Sequence, residues 1–150
     1  MSLKDRLVED MKAAMKAKEE GKVRLSVIRM VRAAIKNTEI DKKIDLSDTQ
    51  VIEVLAREVK MRRDAMEEFS KAKRPDKVQE LEEEVTILME YLPQQLTEGE
   101  IRELAKEIIA ETGAQGPKDL GKVMGVISPK TKGRADGKLV NQIVRELLGS

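Results

Sequence analysis

Apolar residues recur three and four positions apart through almost the whole chain, and no stretch alternates polar with apolar as a half-buried strand does. That periodicity confines the chain to helices packed on helices. The residue supply agrees. One Phe, one Tyr and no Trp leave little of what strands favour, while Ala, Leu, Met, Glu, Lys and Arg, the better helix formers, are plentiful. With 150 residues there is room for one compact domain or two small ones.

Capping and breaking residues divide the pattern into seven helices. Ser2 caps the first, whose stripe is Leu3, Leu7, Met11, Ala14 and Met15, and Gly21 is expected to end it in the left-handed conformation. The second is predicted from about Lys22 to Ile40, burying Leu25, Ile28, Ile35 and either Val31 or Ala34. Ser47 with Gln50 reads as a capping box, with Leu46 and Val51 as its hydrophobic staple, opening a long third helix that reaches about Lys71. Pro75 suits the first turn of a fourth, where Val78, Leu81, Val85, Leu88 and Leu92 form a 3-4-3-4 seam. Glu80, Glu82, Glu83 and Glu84 crowd its polar side and could face the second or third helix, the third carrying a basic cluster of Arg57, Lys60, Arg62 and Arg63. Thr97 with Glu100 opens a fifth helix that stops at Gly113. Gly116-Pro117 starts a sixth, and Asp136 caps a seventh that ends at Gly149. The expected fold is all-α: an antiparallel four-helix N-terminal domain, residues 1–93, then a small three-helix C-terminal tail domain, residues 94–150.

Net charge is +1, so only the placement of charge can inform. The chain has no Cys and no His, which excludes disulfides, a cysteine nucleophile, a histidine base and any His/Cys zinc site. Carboxylates abound, but on faces rich in Lys and Arg, where they read as surface ion pairs. No Gly-rich loop follows a strand, and Ser128 and Thr131 lack a base. No catalytic residue, metal or cofactor is therefore expected. The N-terminal stretch is amphipathic and charged, without an apolar h-region, and no apolar run would cross a bilayer, so a cytosolic protein with no membrane partner is expected.

Two basic features remain. The run from Gly121 to Lys138 reads as a helix, a tight loop and a second helix. Pro129 is expected to stop the first helix near Ile127. Lys130, Lys132 and Arg134 would then share a short loop, with Lys122 and Lys138 nearby, and such a loop can be merely solvated or can grip phosphates. Gly121 and Gly125 sit four apart, where a backbone or ligand could approach closely. Along the second helix, Lys22, Arg29, Lys36 and Lys43 stand seven apart with Arg32 beside them, and no acid occurs between Gly21 and Thr38. Pairing with an acidic neighbouring helix and facing phosphates are both open. With one Phe and one Tyr there is no platform for stacking bases, so any nucleic acid would be held by backbone and shape.

The segments LPQQLTEGEI and GPKDLGKVMGVISPKTKGRADGKLVNQIVRELL resemble the tail domain of the B subunit of tRNA-dependent aspartyl/glutamyl amidotransferase. Together with RLSVIRMVRAAIKNTEI and EVTILMEYLPQQL, they make the whole chain similar to the GatB/YqeY family. The resemblance implies a helical protein that contacts transfer RNA or associates with the amidotransferase in translation. The catalytic parts of that carbon–nitrogen ligase, with glutamine as amido-N donor, have no counterpart here. Gly121, Lys122 and Gly125 match one motif; Gly133, Arg134, Ala135, Asp136 and Lys138 match the other. The glycines and Asp136 are read as structural. Lys122, Lys130, Lys132, Arg134 and Lys138 are the candidate phosphate contacts, joined by Lys22, Arg29, Arg32 and Lys36. An adaptor docking on an amidotransferase or synthetase is the alternative, and a glutamine-dependent enzyme a weaker third. The residues set no oligomeric state.

Overall fold

The computed structural model describes residues 1–149, all helix and turn, with no strand among the described residues. The chain divides into two compact units, Met1–Leu92 and Pro93–Ser150.

In the first unit, α1 (Leu3–Lys16) starts where the Ser2 hydroxyl accepts the Asp5 N–H. A 3-10 turn, Lys18–Gly21, leads into α2 (Lys22–Lys42). Gly21 is not left-handed as expected; its φ is −93°. It is glycine for want of space, because a β-carbon there would lie 2.2 Å from the Ala14 carbonyl oxygen. The left-handed residues on either side of α2 are Lys18 and Lys43. Lys43 therefore leaves the helical line that its spacing suggested.

The capping box at Ser47 forms as read. The Gln50 N–H donates to the Ser47 hydroxyl at 3.3 Å, and the Ser47 N–H donates to the Gln50 side chain at 2.9 Å. It opens α3 (Asp48–Lys71), and α4 (Pro75–Met89) folds back along it. The core joins Leu7 of α1, Val27, Ile28, Val31 and Ile35 of α2, Val51, Leu55 and Val59 of α3, and Leu88 of α4. Burying each such side chain contributes about 1.5–3 kcal/mol.

One member of the basic cluster of α3 is internal and faces a glutamate of α4. Arg62 is 5% exposed. Its Nε donates to Glu84 of α4 at 2.9 Å, and its Nη1 reaches the Glu58 carboxylate and carbonyl at 3.1 Å. Arg62 thus belongs to the α3–α4 seam, where a guanidinium can satisfy two carboxylates at once. At the end of the unit, Tyr91 is buried with its hydroxyl donating to Asp10. The Arg6 guanidinium lies 4.6 Å over its ring and donates to the Glu90 carbonyl, while Arg24 pairs with the Glu90 carboxylate at 2.8 Å. These contacts fasten the end of α4 to α1 and α2.

The second unit packs α5 (Glu98–Thr112), α6 (Leu120–Thr131) and α7 (Gly137–Leu148) around Ile101, Ala105, Ile108, Val123, Ile127, Val140, Ile143 and Val144. Thr97 and Glu100 form the second capping box. Gly113 and Gly149 end their helices in the left-handed conformation. Between α5 and α6, a 3-10 turn at Pro117–Asp119 begins the element that the sequence placed at Pro117.

Candidate nucleic-acid interface

α6 does not stop at Ile127. It runs on to Thr131 with Pro129 inside it. Pro129 removes a single N–H, the one that would point to the Gly125 carbonyl, and Gly125 is exposed, so that carbonyl stays open to water. The last turn is held instead by Thr131, which is 4% exposed and whose hydroxyl donates to the Ile127 carbonyl at 3.1 Å. Lys130 accordingly lies on the helix rather than in the loop.

Beyond Thr131 the chain makes a type II turn. Lys132 has φ −59° and ψ 125°, Gly133 has φ 77°, and the Arg134 N–H donates to the Thr131 carbonyl at 2.8 Å. The third position of such a turn requires positive φ, which accounts for the glycine. The Ala135 N–H also reaches the Thr131 carbonyl, at 3.0 Å. Asp136 then caps α7, accepting the Lys138 N–H at 3.1 Å.

The turn is braced from behind by the segment that enters the unit. The Leu96 N–H donates to the Arg134 carbonyl at 2.8 Å. The Gln95 amide donates to the carbonyls of Gly133 at 2.8 Å and Pro93 at 2.9 Å. Arg134 Nε returns a bond to the Gln94 carbonyl at 3.3 Å. Gln95 and Thr131 brace this turn, which their sequence neighbours, Gln94 and the flanking Lys130 and Lys132, give no local sign of.

The candidate cations divide by what holds them. Lys122 and Lys130 are exposed and make no ion pair with a described residue. Lys132 and Lys138 are exposed on the turn and on the first turn of α7. Arg134 is partly spent on Gln94. The Thr97 N–H holds the Glu100 carboxyl below its usual range, and the charge of Arg134 adds to the effect. No neighbouring atom lies within 4 Å of where a β-carbon of Gly121 or Gly125 would be, so that face of α6 is open.

In the first unit, Lys22, Arg29, Arg32 and Lys36 are all exposed on α2. The acids of α4 do not cover them: Glu84 turns to Arg62, and Glu80 pairs with Lys77. Arg29, Arg32 and Lys36 line a cleft between α1 and α2; Lys22 does not. No group of three or more His, Cys, Asp or Glu among the described residues is placed to hold a metal ion.

The model of the family described as Yqey-like protein matches residues 4–148, both units together. The mitochondrial "Altered inheritance of mitochondria protein 41" of Pyrenophora tritici-repentis is 32% identical over 148 residues, 97% of this chain and 80% of that protein. The protein of the same name from Kluyveromyces lactis is 41% identical over 86 residues, 57% of this chain and 45% of its own length. A glutamyl-tRNA(Gln) amidotransferase subunit of Thermococcus sibiricus is 37% identical over 100 residues, 61% of this chain but 15% of that subunit. The expected resemblance stands, and the cytosolic expectation falls. An apolar h-region marks secretion alone, whereas mitochondrial targeting segments are amphipathic, so its lack implied no compartment. Three relatives, matching 97%, 57% and 74% of this chain, are mitochondrial by name.

Proposed function

The chain belongs to the YqeY-like protein family, and on that premise we propose that it is a non-catalytic accessory protein that binds folded RNA, transfer RNA foremost, by backbone and shape. One observation carries the reading: Lys130 and Lys132 project from a helix end and type II turn that Thr131, Gly133 and Gln95 lock in place. Lys122 and Lys138 flank it on α6 and α7. A pre-set array of ammonium groups binds phosphates at low ordering cost and releases condensed counterions as it does so. Tyr91, the one tyrosine, is buried and offers no ring to a base. The name of the amidotransferase relative ties part of this fold to transfer-RNA chemistry in a larger protein. That supports an RNA contact and equally supports docking on such an enzyme, which is the second reading.

Folded transfer RNA is titrated against the wild type and a Lys122/Lys130/Lys132→Ala variant at two salt concentrations. The wild type loses affinity steeply with salt, and the variant binds more weakly with a slope shallower by about 2–3. Equal binding by the two proteins rejects the reading. A salt-insensitive protein partner that survives nuclease supports docking instead.

A further inference from the structure

Lys4 pairs with Glu39, and Arg32 Nη1 reaches Met11 Sδ at 3.2 Å, so α1 and α2 run antiparallel. The cleft between them has a volume of about 550 Å³, within the range of about 300–1,000 Å³ usual for small-molecule sites. Buried Leu7 and Ile35 and half-buried Val8 give it an apolar floor, and exposed Ala33, Arg29, Arg32 and Lys36 form its rim. The rim cations stand three and four residues apart, on one face of α2. None makes an ion pair with a described residue.

Two acids also line the cleft, Asp5 and Glu39. Glu39 is already engaged by Lys4 and by the Leu46 N–H at 2.9 Å, and these bonds hold its carboxyl below the usual range. The charge of Lys36 also acts on Glu39, and in all four cations of the lining, Lys4, Arg29, Arg32 and Lys36, stand against two acids. The ends are bridged, by Lys4–Glu39 at one and by Arg32–Met11 at the other. A phosphodiester chain needs an open-ended track and has no use for an apolar floor. A neutral apolar ligand would strip water from three cations with nothing in return.

We propose that this cleft binds a small amphiphilic anion, with a phosphate or carboxylate head on Arg29, Arg32 and Lys36 and an apolar body on the floor. Two guanidinium forks match either head group in paired hydrogen bonds. The site shares no residue with the turn of the second unit, so it does not rest on the RNA reading.

The whole chain is titrated with the dye anilinonaphthalene sulfonate, itself an apolar body with an anionic head, and the dye is then displaced with octyl phosphate, octanoate or inorganic phosphate. Saturable dye binding is expected, displaced by octyl phosphate or by octanoate, whichever carries the right head group, and far less by inorganic phosphate. Arg29→Gln/Arg32→Gln/Lys36→Gln weakens binding about tenfold or more. Ala33→Phe, which fills the cleft and keeps every charge, does the same. Lys42→Gln, on the same helix outside the cleft, leaves binding unchanged. Circular dichroism and melting check that each variant is folded. The proposal is overturned by dye binding that neither octyl phosphate nor octanoate displaces, by inorganic phosphate acting as well as octyl phosphate, by equal binding in wild type and cleft variants, or by no binding at all.

Discussion

The side-chain amide of Gln95 donates to the Gly133 carbonyl at 2.8 Å, tying the entry of the second unit to a turn 38 residues further along. The same nitrogen donates to the Pro93 carbonyl, so one side chain fixes both ends of the brace. Gln95→Leu keeps the bulk and removes both bonds. It is expected to cost about 1–2 kcal/mol in urea unfolding and to weaken transfer-RNA binding with Lys130 and Lys132 untouched. Unchanged stability and unchanged binding together would show that the turn needs no brace.

Three glycines of the tail motifs are expected to separate on substitution. Gly133→Ala forces a β-carbon into φ 77° and costs about 1–2 kcal/mol. Gly125→Ala meets nothing within 4 Å and gains helix propensity, stabilising by about 0.5–1 kcal/mol, with Gly121→Ala moving in the same direction. Thermal melts read all three. If the open α6 face receives RNA, the two helical variants are more stable yet bind transfer RNA less tightly. More stable variants with full affinity would leave that face idle.

Local chemistry is legible in the sequence and crossings between elements are not. Ser47, Thr97, Asp136 and Gly113 act as read, because a cap is settled within four residues. Pro129 escapes a local reading because its cost depends on which carbonyl it orphans, and here that carbonyl belongs to exposed Gly125. Arg62 looks like its neighbours Arg57, Lys60 and Arg63 in a basic run; only the approach of α4 makes it the buried one. The line through Lys22, Arg29 and Lys36 is visible in the spacing, but the α1 wall that turns part of it into a cleft is not.

Gly21 tests whether space or backbone angle demands a glycine. With φ at −93°, alanine would be tolerated by the backbone. Its β-carbon would nonetheless meet three backbone atoms of Ala14 within 2.8 Å. Backbone cannot swing aside as a side chain can, so Gly21→Ala is expected to cost several kcal/mol, about 3 or more. Chemical denaturation measures it. A loss under about 0.5 kcal/mol would mean that α1 and α2 slide apart freely.

Arg62 should be costly to truncate. Arg62→Met keeps the stem and leaves Glu58 and Glu84 without their shared cation, with side chains only 12% and 26% exposed. The expected loss is about 3 kcal/mol. Adding Glu58→Gln and Glu84→Gln removes the stranded charges and should recover part of it, which a purely steric defect would not allow.

Tyr91 gives the alkaline limit of the fold a single reporter, since it is the chain's only tyrosine. Burial, then the bond to Asp10 and that carboxylate's charge, push its pKa well above the ordinary 10.0, while Arg24 pulls weakly the other way. A raised folded-state pKa means that the native protein keeps a proton which the unfolded chain releases. The stability from this group is therefore complete below pH about 10 and is lost as the pH climbs from there toward the folded value. Tyrosinate absorbance should stay silent just above pH 10 and rise only as the helical circular dichroism disappears. Tyr91→Phe should flatten that alkaline limb and cost about 1 kcal/mol at neutral pH through the lost hydrogen bond. Tyrosinate forming near pH 10 in a fully helical protein would show that the Asp10 contact does not hold in solution.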